Sequence, residues 1–183
     1  MLTWIGFQFQ KKAVQRYLDS LGFKSGNVLD VGCGYGWYSR LFIKNYNYVG
    51  IDADDDILAR AKTKHPGVHF EKMNATELKF PDQHFDLIFC NFVLHHLTDK
   101  ELLLTVKEML RVTKAGGHIL LFDLILPRCL KLPAQIFFWL DRGAKGRTFE
   151  SLYNLFIQAD SPPGFKLRKR FLIWEIAIFD IIK

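Results

Sequence analysis

Nine residues, Val28-Leu29-Asp30-Val31-Gly32-Cys33-Gly34-Tyr35-Gly36, join an apolar run to an acid and three alternating glycines. Glycines let a backbone turn tightly and approach a ligand, and a helix starting after such a loop offers free N–H groups. A dinucleotide fingerprint needs glycines at 32, 34 and 37, but position 37 is Trp37 and the third glycine is Gly36. A nicotinamide oxidoreductase is therefore disfavoured. Asp30 adds a sign: a carboxylate at the mouth of a strand repels pyrophosphate and attracts an ammonium group, so the expected ligand carries positive charge. Twenty residues after Gly32, Asp52 ends the next strand-like run, where the ribose-binding acid of many nucleoside sites stands, and its two oxygens can accept both ribose hydroxyls. His95 and His96 follow Asn91 closely. An imidazole titrates near neutral pH, so either could act as a general base, or either could be a packed structural histidine.

These residues need a scaffold, and the pattern supplies one. Strands are expected at Asn27–Val31, Tyr48–Asp52, Val68–Lys72, Phe85–Asn91 and His118–Leu124, with a closing pair at Lys166–Phe171 and Trp174–Ile182. Helices are expected near Phe7–Leu21, Trp37–Asn45 and Asp54–Lys64. The clearest is Asp99–Val112, where Leu102, Leu103, Val106, Met109 and Leu110 recur at helical spacing, Thr98 is the N-cap and Gly116-Gly117 ends the run. Asp54, Asp55 and Asp56 suit the positive end of their helix dipole. Strand alternating with helix predicts an α/β fold whose mostly parallel sheet is covered on both faces. The short link between the last two strand patterns forces them antiparallel.

The 183 residues, 49% hydrophobic and 24% charged, suit a single domain and exclude a disordered or low-complexity chain. Cys33, Cys90 and Cys129 are odd in number and form no CxxC pair, so no zinc or other metal site and no dithiol is expected, and the compartment is read as reducing and cytoplasmic. The N-terminal residues place charges after apolar residues, the reverse of a secretory signal, and no run reaches the ~20 apolar residues of a membrane span. Of the net charge of +6, most comes from Pro127–Lys183, which holds ten basic and five acidic residues. That excess suits an anionic partner or a merely solvated face.

VLDVGCGYG followed by VGID resembles the class I S-adenosylmethionine-dependent methyltransferases, and the likeness continues through HFEKMNATELKFPDQHFDLIFCNFVLHHL to AGGHILLFD, roughly Asn27–Leu124. LHHL is similar to the small-molecule, methyltransferase type 11-like branch. The resemblance implies a Rossmann-like, doubly wound, seven-stranded sheet of order 3-2-1-4-5-7-6 with strand 7 antiparallel. It implies S-adenosylmethionine as cofactor and S-adenosylhomocysteine as product. Carried over by position, Asp30 and the backbone of Gly32 and Gly34 face the methionine portion, Asp52 the ribose and Ala53 the adenine. Asn74 and Ala75 stand at the adenine edge, Asn74 replacing the more frequent aspartate, and Asn91 stands at the methionine end. The implied reaction is in-line displacement at the sulfonium methyl, in which alignment alone lowers the barrier by up to ~7–11 kcal/mol.

The implied acceptor is a small, partly apolar or anionic molecule. Enzymes that methylate exocyclic base amines resemble one another in an Asn/Asp-Pro-Pro-aromatic turn, and here the turn reads Asn91-Phe92-Val93-Leu94, so nucleic acid is disfavoured. RNA or protein methylation and a non-catalytic cofactor-binding scaffold are the alternatives. No obligate partner is evident. Residues 127–147 interrupt the regularity after the fifth strand as a cap-like insertion, with Ile136-Phe137-Phe138-Trp139 followed by Arg142, Lys145 and Arg147. A packed connector, a lid over the acceptor and a peripheral membrane contact are its three readings.

Overall fold

The computed structural model describes residues 11–127, 136, 144–171 and 174–183, apart from 13 and 23, and of 165–171 and 174 it describes the backbone. Seven strands, β1 (Gly26–Val31), β2 (Tyr46–Asp52), β3 (His69–Lys72), β4 (Phe85–Asn91), β5 (Thr113–Ile125), β6 (Phe165–Phe171) and β7 (Trp174–Ile182), form one sheet of order β3-β2-β1-β4-β5-β7-β6. Strands β1 to β5 pair in parallel, and β7 runs antiparallel to both β5 and β6. Order and strand directions are those expected. Residues 172–173 are too short a link for a crossover helix, so β7 has to fold back along β6.

Among the described residues the named helices are α1 (Ser39–Phe42), α2 (Asp55–Lys64), α3 (Asp99–Val112) and α4 (Phe149–Gln158), and a 3-10 turn spans Leu94–His96. Residues 14–20 are also helical. On one face of the sheet Val14, Leu18, Phe42, Leu58 and Ala61 pack against Val28, Leu87, Phe89, Leu120 and Phe122. On the other, Leu102, Val106, Met109, Leu152 and Phe156 pack against Leu29, Ile88, Ile119, Leu121 and Phe179. Because successive strand residues point to opposite faces, a sheet buried on both sides needs unbroken apolar runs, and Leu87-Ile88-Phe89-Cys90 is one. Each fully buried Leu, Ile or Phe there stabilises the fold by ~1.5–3 kcal/mol.

Two elements depart from expectation. The helix after the glycine loop is only Ser39–Phe42, since Gly36 at φ 70° keeps the preceding turns out of helical geometry. Helix α3 spans Asp99–Val112 as expected, and it ends before Gly116-Gly117 is reached because Thr113 is already extended and pairs with Phe85. The next β4–β5 partners are Leu87 and His118, so 114–117 bulge from the ladder, with Gly116 at φ 75°. Finally, α4 was not expected, although Thr148 caps Ser151 N–H and Leu152, Leu155 and Phe156 sit at helical spacing. The insertion at 127–147 falls largely outside the described residues, which include its Pro127, Ile136 and 144–147.

Candidate active site

The carboxyl ends of β1, β2 and β4 bring the glycine loop and both acids together. Gly34 N–H donates to Asp52 Oδ2 at 2.9 Å, and Cys33 N–H donates to Ile51 O at 2.9 Å, so the loop after β1 is tied to the end of β2. Asp52 Oδ1 accepts from Asp54 N–H at 3.1 Å, and Met73 N–H donates to Asp52 O at 3.0 Å, which carries the chain leading to Asn74 and Ala75 to the same edge. Ala53 is exposed beside Asp52. Asn74 Oδ1 accepts from Thr76 N–H at 3.0 Å within its own turn. The acidic triplet behaves as expected: Asp54 caps Asp56 and Ile57 N–H, and Asp55 and Asp56 occupy the first turn of α2.

Asp30 is buried, and its one hydrogen-bond partner among the described residues is the Tyr48 hydroxyl, which donates to Oδ2 at 2.7 Å. Burial pushes its carboxyl up to about 7, Tyr48 pulls it down and the nearby Asp52 charge pushes it further up. Sequence reasoning missed Tyr48. Its signal is Gly50, which pairs with Asp30: a Cβ there would lie 2.9 Å from the Tyr48 hydroxyl and 2.8 Å from Phe70 Cδ1. A bare strand position beside the acid makes room for the phenol. Tyr38 lies in the same region, its hydroxyl beside Asn91, and burial followed by the Asp30 charge holds it above the usual phenol range.

Gly32 and Gly34 differ in what their missing side chains allow. A Cβ at Gly32, φ 69°, would sit 2.2 Å from Val93 Cγ2, whereas one at Gly34, φ 53°, would meet nothing within 4 Å. Gly32 lets the turn after β4 pack onto the loop, and Gly34 leaves the loop open to a ligand. The half-buried Asn91 ends β4. Cys90, before it, is buried, and burial with the Asp123 and Asp30 charges raises its thiol well above the ordinary range, a poor setting for a nucleophile.

The two histidines part company. His96 is exposed, while His95 is buried, its Nδ1 bonded to Asp123 Oδ1 and its N–H donating to Asp123 Oδ2 at 2.9 Å. Asp123, near the end of β5, was not singled out, because only the fold brings it to position 95. Arg147, expected as a flanking surface charge, is instead buried: it donates to Leu94 O at 2.9 Å, Leu97 O at 2.6 Å and Asp99 Oδ1 at 2.6 Å. Among the described residues no three His, Cys, Asp or Glu side chains gather as a metal site.

The donor set fits S-adenosylmethionine. A buried acid with no basic partner among the described residues suits an ammonium, a second acid at the neighbouring strand end suits a diol, and the open glycine between them admits the ligand's backbone approach.

Residues 28–117 match the family model described as methyltransferase domain. Over 121 residues the chain is 35% identical to ubiquinone/menaquinone biosynthesis C-methyltransferase UbiE of Vibrio vulnificus, covering 60% of this chain and 46% of that protein. Over 106 residues it is 34% identical to phosphatidylethanolamine N-methyltransferase of Cereibacter sphaeroides, covering 55% and 51%. The chain thus spans about half the length of the curated relatives it matches. Magnesium protoporphyrin IX methyltransferase from Synechocystis, solved with S-adenosylhomocysteine, superposes with a TM-score of 0.76 at 16% identity, covering 98% of this chain and 84% of that one. Glycine loop, acids, strand order and matched segment agree, and the chain belongs to the class I S-adenosylmethionine-dependent methyltransferases.

Proposed function

We propose that this protein transfers the methyl group of S-adenosylmethionine to a small, partly apolar or anionic acceptor. The observation that carries the reading is the buried Asp30 carboxyl, held at about 7 within reach of Asp52 and the open Gly34 loop, a pairing of charge and space that a cationic ligand relieves. When bound, S-adenosylmethionine supplies a methyl group on positive sulfur and leaves as S-adenosylhomocysteine. Asp30, with the backbone of Gly32 and Gly34 and with Asn91, holds the methionine end. Asp52 exchanges its contact with Gly34 N–H for ribose hydroxyls, and Ala53, Asn74 and Ala75 border the adenine. Support for a small or lipid acceptor comes from the relatives, which are named for quinone biosynthesis and phosphatidylethanolamine. A cytoplasmic location belongs to the same proposal; among the described residues no helix is long and apolar enough to cross a membrane.

The insertion at 127–147 is proposed as a cap over the acceptor. Its two ends support this: Leu126 N–H donates to Arg147 O at 2.7 Å, and Lys145 N–H donates to His95 O, so the segment leaves and returns beside the candidate site. Calorimetry with S-adenosylhomocysteine, followed by methyl-labelled S-adenosylmethionine on metabolite and lipid fractions, tests the whole reading. Binding and a labelled small product are expected. Binding without any transfer would leave a cofactor-binding scaffold, and label in RNA or protein alone would overturn the acceptor class.

A further inference from the structure

Two aromatic side chains stand in solvent at the end of the glycine loop. Tyr35, between Gly34 and Gly36, is 36% exposed, Trp37 is 42% exposed, and their rings meet edge to face with centroids 6.3 Å apart. Adjoining exposed aromatics hold apolar area in water that a partner would cover. Cations gather around them. Lys64 Nζ, at the end of α2, lies 3.2 Å from the Trp37 ring centroid, and Lys11 Nζ donates to Trp37 O at 3.4 Å. Beside the loop the buried His65 ring is hydrogen-bonded to the Tyr35 backbone. Burial, then the Arg40 and Lys64 charges and most weakly Lys11, hold that imidazole below its usual range. Burial and the Arg40 charge likewise hold the Lys11 ammonium below its usual range. Three cations from three separate segments thus lie close enough to one another, and to one aromatic pair, to feel each other's charge.

The near balance of charge in the first 126 residues hides this asymmetry. Residues 11–18, 37–46 and 57–66 hold eight of the fifteen Lys and Arg residues found there and none of the fourteen Asp and Glu. We propose that Trp37 and Tyr35, ringed by Lys11, Arg40 and Lys64, form a docking surface for an anionic lipid bilayer, which brings the glycine loop to the membrane. Indole and phenol rings settle at the headgroup level of a bilayer, and Lys and Arg reach from their apolar stems to its phosphates. Nucleic acid also attracts cations and aromatics, but its bases stack in parallel on open ring faces. Here the two ring planes stand at 74°, and Lys64 occupies one face of Trp37. The assignment is independent of the methyltransferase reading and of the 127–147 segment. Joined to that reading, it lets an apolar acceptor dissolved in the bilayer meet the enzyme without passing through water.

Flotation of the full chain with vesicles, followed by hydrogen exchange on the bound protein, tests the surface. Phosphatidylcholine vesicles with about one-third phosphatidylglycerol should carry the protein at ~0.1 M salt and release it at ~0.5 M, and pure phosphatidylcholine should carry far less. Exchange should slow at residues 35–44 and 60–65 when anionic vesicles are added. Lys11→Gln/Arg40→Gln/Lys64→Gln should weaken vesicle binding ~10²-fold through loss of three charges, and Trp37→Ala ~10-fold through loss of its apolar area, each with an unchanged circular dichroism spectrum. Failure of the parent chain to float with anionic vesicles overturns the proposal. So does protection confined to 127–147 or to 165–171, a result read on the parent chain alone and decisive even where the variants fail to fold. Folded variants that bind as tightly as the parent overturn it equally, and binding of polyuridylate without binding of vesicles replaces it with a nucleic-acid surface. Calorimetry with S-adenosylhomocysteine in the absence of vesicles decides the methyltransferase reading separately.

Discussion

Replacing Asp30 with asparagine should stabilise the ligand-free protein and weaken its hold on the cofactor. The Asp30 carboxyl titrates at about 7 in the fold against an ordinary 3.8. Below about pH 4 both folded and unfolded chains carry it protonated, and it costs nothing. As pH rises toward 7 the unfolded chain releases the proton while the folded one keeps it, so stability falls; above about 7 both are ionised and the penalty is constant. At ~1.4 kcal/mol for each pKa unit, the difference corresponds to an upper bound of ~4 kcal/mol. Asparagine keeps an oxygen for the Tyr48 hydroxyl and carries no charge, so at pH 8 Asp30→Asn should unfold later, by up to ~8–16 °C at ~2–4 °C for each kcal/mol. Thermal unfolding of both proteins from pH 4 to 8 should show curves that meet at the acid end and diverge through pH 7. Calorimetry at pH 8 should show S-adenosylhomocysteine binding weakened at least ~10-fold, through loss of a charge-assisted contact of ~1.5–3 kcal/mol. Parallel stability curves would refute the burial argument, and unchanged affinity would refute the placement of Asp30 at the methionine ammonium.

Asp52→Ala should lower S-adenosylmethionine affinity at least ~10-fold by calorimetry, since it removes a charged acceptor for two hydroxyls; an unchanged affinity in a folded variant would remove Asp52 from the ribose site. Tyr48→Phe should move the pH midpoint of S-adenosylhomocysteine binding upward by ~1 unit, because the phenol is the group that lowers the Asp30 carboxyl, and an unmoved midpoint would disprove that coupling. Gly50→Ala should cost ~1–3 kcal/mol in urea denaturation, as its Cβ would crowd Phe70 and the Tyr48 hydroxyl. Thr98→Ala should cost ~1 kcal/mol, or ~2–4 °C in Tm, through loss of the capping box with Glu101 on α3.

Much of this protein is local, and local physics is legible in a linear chain. The alternation of apolar runs with helical spacing gave α/β order, the glycine pattern with Asp30 and Asp52 marked the cofactor edge, and Thr98 marked the start of α3. The residues around which the site turns are otherwise. Tyr48 is an ordinary strand aromatic until the β1–β2 register sets it beside Asp30, with Gly50 clearing its path. Asp123 stands 28 residues from His95, and Arg147 lies 48 from Asp99; each pair meets because parallel β4 and β5 bring their ends to one edge. Arg147 shows the limit most plainly, since composition counts it as surface charge, whereas the fold spends its guanidinium on the carbonyls of the histidine turn. A residue's type and neighbours determine which element it favours, but whether a charge is solvated or buried depends on long-range pairing, because only contacts between distant segments exclude water from it.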